Sequence, residues 1–269
     1  MHLDHTILMP KLASYAERFR REFIYADASA LAGRRVVSRD GFTEVIKDPC
    51  GSARVFFKFY AFARAGGQEI GYEDICTKLL ERGLWWESGD EFHHAYVKEC
   101  RKRHREPNPR NEQLVSRGYA YHLESETGWL HRLGSQIDES TGLTDAYLQL
   151  ISISGIGFKI AALACRDLAW AFDREAKVPI LQRPLLQPID RWLWRICYHL
   201  WPEYRDRAKN DDPNGGFQLL SALRFAEAAE ALGISNVAFN QGAWYFCRVV
   251  VGKKDLLDKI LADLQNRTD

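Results

Sequence analysis

The stretch LQLISISGIGFKIAALACR, residues 148–166, decides the fold. Apolar residues at helical spacing run up to Ile153 and resume at Ile160. Between them, Ile156 alone separates Gly155 from Gly157, which predicts two short helices joined by a tight turn. Glycine there permits positive φ and leaves no Cβ in the way. A phosphate can then approach the backbone N–H groups that open the second helix, and the helix dipole adds to the attraction. Such a turn grips a nucleic-acid backbone without reading bases. A glycine-rich hinge between two core helices has the same signature, and the turn alone does not separate the two.

The rest of the chain continues the helical pattern. Residues 11–25 predict a helix opened by Pro10, and 31–50, with Gly33, Gly41 and Pro49, an irregular connector. Residues 53–65 are apolar nearly all round and predict a buried central helix ended by Gly66 and Gly67. A helix over 72–82 stops at Gly83, and Ser88-Gly-Asp-Glu91 is a capping box opening a helix that runs toward Pro107. A long polar helix over 111–133 precedes the two hairpin helices, 144–152 and 158–172. Residues 173–187 read as a proline-broken loop, and helices follow at 189–200, 217–232, 236–250 and 254–266. No segment sustains period-2 alternation, so the fold class is all-α.

Composition narrows the function classes. The chain has 269 residues, 46% hydrophobic and 27% charged, which is globular and excludes long-range disorder. No run approaches the ~20 apolar residues a bilayer needs, and residues 1–10 lack the pattern of a signal peptide. Six cysteines, at 50, 76, 100, 165, 197 and 247, form no Cys-x-x-Cys and fit neither a zinc ribbon nor an iron–sulfur cluster. They predict reduced thiols in a cytoplasmic protein, with no metal site. Thirty-seven Lys and Arg against 36 Asp and Glu give a net charge of +1, which argues against a strongly basic nucleic-acid coat protein. That near-neutrality averages opposed patches. Residues 120–150 hold five acids and one base, whereas 151–209 hold ten bases and six acids. An enzyme gripping one site on DNA through a local basic face remains open.

Two residues complete the chemistry. Lys159 sits in the first turn of a helix whose next residues, 160–164, are small and apolar. The positive helix end and the apolar neighbours both disfavour its ammonium form, which suits a nucleophilic amine. In isolation a phosphate-binding lysine is the commoner reading of that position. Pro188-Ile189-Asp190 opens the 189–200 helix, where Asp190 is either an N-cap or a carboxylate working beside Lys159.

Gly-x-Gly-x-Lys followed by Pro-x-Asp resembles the helix-hairpin-helix DNA glycosylase superfamily. The family's Leu-Pro-Gly-Val-Gly-x-Lys stands here as Ile153-Ser-Gly-Ile-Gly-Phe-Lys159, and its Pro-Val-Asp as Pro188-Ile-Asp190. Residues 239–247 are similar to the family's terminal helix. Gln68 stands where a helix ends in a residue that fills the gap left by the flipped base. The resemblance covers roughly residues 42–250 and is specific at 153–197. It implies two helical lobes, one over 42–172 ending in the hairpin and one from 1–41 plus 173–269 carrying Asp190, with the active-site cleft between them.

Lysine at position 159 implies a bifunctional glycosylase/lyase, in which Lys159 forms a Schiff base with the sugar and Asp190 stabilises charge at C1′. Gly155, Ile156, Gly157 and Gln68 are the expected DNA contacts. Phe158, Trp192, Phe239, Trp244 and Gln241 are the candidates for lining a base pocket. The partner is double-stranded DNA carrying a modified base, met by a monomer in the cytoplasm, nucleoid-associated in a prokaryote. No cofactor is required, although hairpins of this family can hold a monovalent cation on backbone carbonyls.

Three departures bear on substrate. The loop before Asp190 is longer than in the endonuclease-III-type branch and resembles archaeal-type 8-oxoguanine glycosylases. Arg191-Trp192 replaces the usual polar residue or histidine after the Asp, and the iron–sulfur cysteines of some branches are absent. The first expectation is excision of 8-oxoguanine in base excision repair. A second is removal of a hypermodified base, such as glucosylated hydroxymethylcytosine, from phage DNA as antiviral defence. A third, of another class, is a non-catalytic DNA-binding module. The run Cys100-Arg-Lys-Arg-His-Arg105 reads as a solvated helix face or a DNA-backbone patch, and His93, His94, Cys100 and His104 do not have the spacing of a metal site.

Overall fold

In the computed structural model every regular element is helical, and no strand occurs among the described residues, which are 3–62, 71–82, 87–124, 126–138, 140–204, 215–253 and 256–266. No described helix is long and apolar enough to cross a membrane. The chain divides into two units, Tyr25–Lys177 and Met1–Ile24 with Val178–Asp269. Residues 25–41 and 173–177 thus join the middle segment, where the sequence suggested borders at 41/42 and 172/173. Trp170 is the reason. The rings of Tyr25 and Phe42 pack on it at 5.8 and 6.4 Å, the Arg39 guanidinium lies over it at 5.6 Å, and Arg39 bonds Asp173.

The Tyr25–Lys177 unit is built around the Pro49–Val55 helix and its wide continuation Phe56–Ala61, the buried central helix the sequence predicted from 53 onward. Its last expected residues, 63–65, lie outside the described residues. Val55, Phe56, Phe57 and Tyr60 are all buried, and the Phe56 ring meets those of His122 and Trp129 at 5.6 and 5.5 Å. The expected connector over 31–50 is largely helical instead, with Arg39–Lys47 and Pro49–Val55 following each other. Ser38 caps the first through the Gly41 N–H at 3.1 Å, and Asp48 caps the second through the Gly51 N–H at 2.6 Å. Pro49 occupies the first helical position, where its missing N–H costs nothing.

The expected single helix over 111–133 is also broken, into Pro109–Leu123 and Trp129–Ser135. Gly128 makes the break. A Cβ there would collide with the Ile46 carbonyl, so the chain passes closer than any other residue allows.

His122 adds a pH dependence. It is buried with no hydrogen-bond partner on either ring nitrogen. Burial, and then the charge of Arg132, push its pKa from the ordinary 6.5 down to about 3. The unfolded chain therefore takes up this proton near pH 6.5 and the folded chain only near pH 3. The contribution is whole above 6.5 and is lost as pH falls toward 3. Between pH 7 and pH 4 that loss is on the order of 3 kcal/mol. In urea melts across that range, His122→Phe is expected to weaken the acid dependence without lowering the midpoint at pH 7. Equal slopes for the two proteins would refute the assignment.

The other unit packs His5–Ala13, Arg191–Leu200, Gly215–Ala231, Asn236–Tyr245 and Leu257–Asn266 around Leu12, Leu193, Trp194, Phe225, Phe239 and Phe246. Pro10 lies inside the first of these helices instead of opening it. Asp4 is the cap, accepting from the Thr6 N–H at 2.8 Å. Gly242 meets the Leu12 carbonyl at the crossing with Asn236–Tyr245, again with no room for a Cβ.

Candidate functional site

The hairpin forms where the sequence placed it. Gly142–Ile151 ends with the Ser152 N–H returned to the Leu148 and Leu150 carbonyls, and Phe158–Ala171 begins after Gly157. Buried Ile153 and Ile156 anchor the turn, joined by an Ile156 N–H to Ile153 carbonyl bond of 2.9 Å. Gly155 has φ +98°, a conformation that only glycine adopts without strain. Gly157 differs. Its φ of −102° suits any residue, it offers no side-chain cap to the helix it opens, and among the described residues nothing beyond its own neighbours lies within 4 Å of where a Cβ would stand. Packing inside the chain therefore gives no reason for glycine at 157, whereas a ligand approaching the helix start would.

Three residues of the Pro109–Leu123 helix hold the turn from one side, and the hairpin motif did not mark them. Arg110 donates to the Gly155 carbonyl at 3.3 Å. Gln113 accepts from the Ser154 hydroxyl at 2.6 Å. Tyr121 pairs with the Ser152 hydroxyl at 2.8 Å and stacks on Trp129 at 4.8 Å. Their spacing is helical, but nothing in that spacing names the partner, so only the folded chain reveals them.

Lys159 is the second residue of the Phe158–Ala171 helix and is half-buried, and Ile160, Ala161 and Ala162 after it are buried. Phe158, beside it, is 56% exposed, and Leu148 on the preceding helix is 52% exposed. Burial is the largest influence on each of the six cysteines and raises every one, so none supplies thiolate near neutral pH.

Asp190 does cap the Arg191–Leu200 helix. A single oxygen, Oδ1, accepts the N–H groups of Trp192 at 2.8 Å and Leu193 at 3.0 Å. The carboxylate is half-buried, and its charge adds to burial in raising the Cys247 thiol. Capping and chemistry are thus not exclusive, because the cap uses one of two oxygens. Residues the sequence did not single out pack on the segment just upstream. Gln187, Asn236 and Asn240 form a buried carboxamide cluster against the chain that leads into Asp190.

The remaining candidates are dispersed. Phe239 is fully buried against Phe225 at 5.0 Å, and Trp192 belongs to the same core. Gln241 is fully buried and accepts from the Arg20 side chain at 2.8 Å. Trp244 is half-buried, edge-on to Phe19 and Phe23 at 5.6 and 5.1 Å. Of the five base-pocket candidates, Phe158 alone presents a largely exposed ring. Gln68 lies outside the described residues.

Three bases of the 100–105 run are engaged by neighbouring residues. Arg103 bonds Glu99 and Asp74 at 3.3 and 3.1 Å, Lys102 lies 3.6 Å from Glu99, and Arg105 covers the Tyr72 ring. Burial alone would raise the Asp74 carboxyl, but hydrogen bonds from Lys78 and Arg103 hold it below its usual value. That is a salt-bridged, solvated face. His93 and His94 bond Glu112 and the Asp90 carbonyl, and no described group of His, Cys, Asp and Glu is arranged to hold a metal ion.

Compared with known proteins, the chain matches no family model, no curated protein and no solved structure.

Gly157 provides a direct test of ligand approach. Gly157→Ala is expected to leave the thermal midpoint within about 2 °C, since the change is an ordinary exposed one. Where the helix start takes a phosphate, binding to a duplex in low salt should weaken roughly tenfold, because the methyl group would stand in its way. Unchanged duplex affinity would show that nothing docks there.

Proposed function

We propose that the chain is a DNA glycosylase with AP-lyase activity that flips out a modified base and excises it through a Schiff base on Lys159. The observation that carries this reading is Gly157: a glycine that internal packing does not require, at an uncapped helix start, two residues before a half-buried lysine. Flipping the nucleotide costs a few kcal/mol, recovered through backbone contacts such as the hairpin supplies.

In this reading the Lys159 amine attacks C1′ while the bond to the base breaks, the base leaving with the bonding pair and a proton. Asp190 stabilises the positive charge developing at the sugar. Ring opening gives an imine that acidifies the C2′ proton. Loss of that proton expels the 3′ phosphate and nicks the strand. The proposed substrate is 8-oxoguanine in duplex DNA.

Borohydride reduction on duplexes carrying an abasic site, 8-oxoguanine, uracil, an oxidised pyrimidine or glucosylated hydroxymethylcytosine tests both parts. A covalent protein–DNA adduct is expected with the abasic and 8-oxoguanine duplexes. Excision confined to the glucosylated base would move the purpose to phage defence. No adduct with any duplex would leave a non-catalytic DNA-binding module.

A further inference from the structure

We infer that Asn240, acting with Gln187 and Asn236, is a positioning residue that aims the Asp190 carboxylate. The inference rests on the role proposed for Asp190. The Asn240 amide donates to the Gln187 side-chain oxygen at 3.0 Å and to the Pro188 carbonyl at 3.4 Å. The Gln187 amide in turn donates to the backbone carbonyl of Asn236 at 3.1 Å and to its side-chain oxygen at 3.0 Å. Gln187, Asn236 and Asn240 are 2%, 1% and 0% exposed, so water does not compete for these bonds.

The cluster acts on a short lever. Pro188 restricts its own φ, Ile189 is buried in the core, and Asp190 follows at φ −108° and ψ −174°. Holding the Pro188 carbonyl from the Asn236–Tyr245 helix therefore fixes the peptide planes that set where the Asp190 side chain leaves the backbone. The cap keeps Oδ1 on the Trp192 and Leu193 amides, and the carboxamide cluster keeps the chain beneath it from rotating. Three uncharged amides do this without adding a charge that would compete with the carboxylate. Buried polar groups bonded to one another favour one arrangement, which is what a carboxylate aimed at a reacting carbon requires.

The test uses the full chain and four proteins: wild type, Asn240→Leu, Asp190→Asn and the double variant. Two quantities are read, the single-turnover rate of base excision and the NMR-detected exchange of the Trp192 and Leu193 amides. Asn240→Leu is expected to slow excision by about 10- to 100-fold in the wild-type background. In the Asp190→Asn background it should cost less than about threefold, because a positioning residue acts only through what it positions. The two amides should exchange at least about tenfold faster, with those of Ile196–Leu200 unchanged. Equal losses in both backgrounds, or unmoved Trp192 and Leu193 exchange, would overturn the inference. If Asn240→Leu does not fold, Asn240→Ala removes the same two bonds and is read identically. Should no duplex be a substrate, the glycosylase reading fails by itself, and amide exchange still decides whether the cluster holds the Asp190 cap.

Discussion

On an abasic duplex, Lys159→Ala is expected to yield no borohydride-trapped adduct and to nick the strand on the order of a thousandfold more slowly. The loss should be this large because the trapped imine requires a primary amine, which alanine lacks and which a thiol cannot replace. It should also be free of a folding defect, since alanine is a strong helix former in the first turn of Phe158–Ala171. Circular dichroism and the thermal midpoint check the fold, and intact-protein mass after reduction checks the adduct. Duplex binding should fall only modestly and in a salt-dependent way. An adduct that persists in Lys159→Ala would place the Schiff base on another amine.

Asp190→Asn should be the second large effect, slowing excision of an intact modified base by about 10²- to 10³-fold. Asparagine is as good an N-cap as aspartate, so the bonds to the Trp192 and Leu193 amides survive and the Arg191–Leu200 helix keeps its start. What disappears is the negative charge. The variant therefore separates the two roles that the sequence left open at this position. A rate loss with an unchanged thermal midpoint assigns chemistry to Asp190 beyond its cap. An unchanged rate would reduce it to the cap alone. Trapping on a preformed abasic site should suffer less than excision, because no bond to a base has to break there.

The parts of the fold that were legible in the sequence are those written in local rules. The Gly155–Gly157 turn between apolar runs, the Ser88 cap and the apolar 53–61 stretch each appear as a helix end or a buried helix where spacing implied them. The misread places are those where a local breaker is used by the tertiary structure. Pro49 looked like an interruption and is a helix's first residue. Gly128 lay unnoticed within a polar run and is the point where Trp129–Ser135 crosses the Ile46 carbonyl. Aromatic residues near the motif could not be sorted from sequence, because burial decides their use and spacing does not. Phe239 and Trp192 belong to the core, while Phe158 is exposed at the helix start.

By itself, then, the sequence determined the helical class and the tight turn between two helices, and it marked Lys159 and Asp190 as the candidates for chemistry. Helix periodicity, glycine's freedom at positive φ and the side chains' own reactivity are properties of neighbouring residues and need no fold to be read. Only the tertiary structure decided that Gly157 has no internal reason to be glycine, that Arg110, Gln113 and Tyr121 hold the turn, and that an amide cluster from residues 187, 236 and 240 stands under Asp190. Each of those is a contact between residues about 30 or more positions apart, or the lack of one. Spacing along a chain carries no record of which distant side chain arrives, or of the space left where none does.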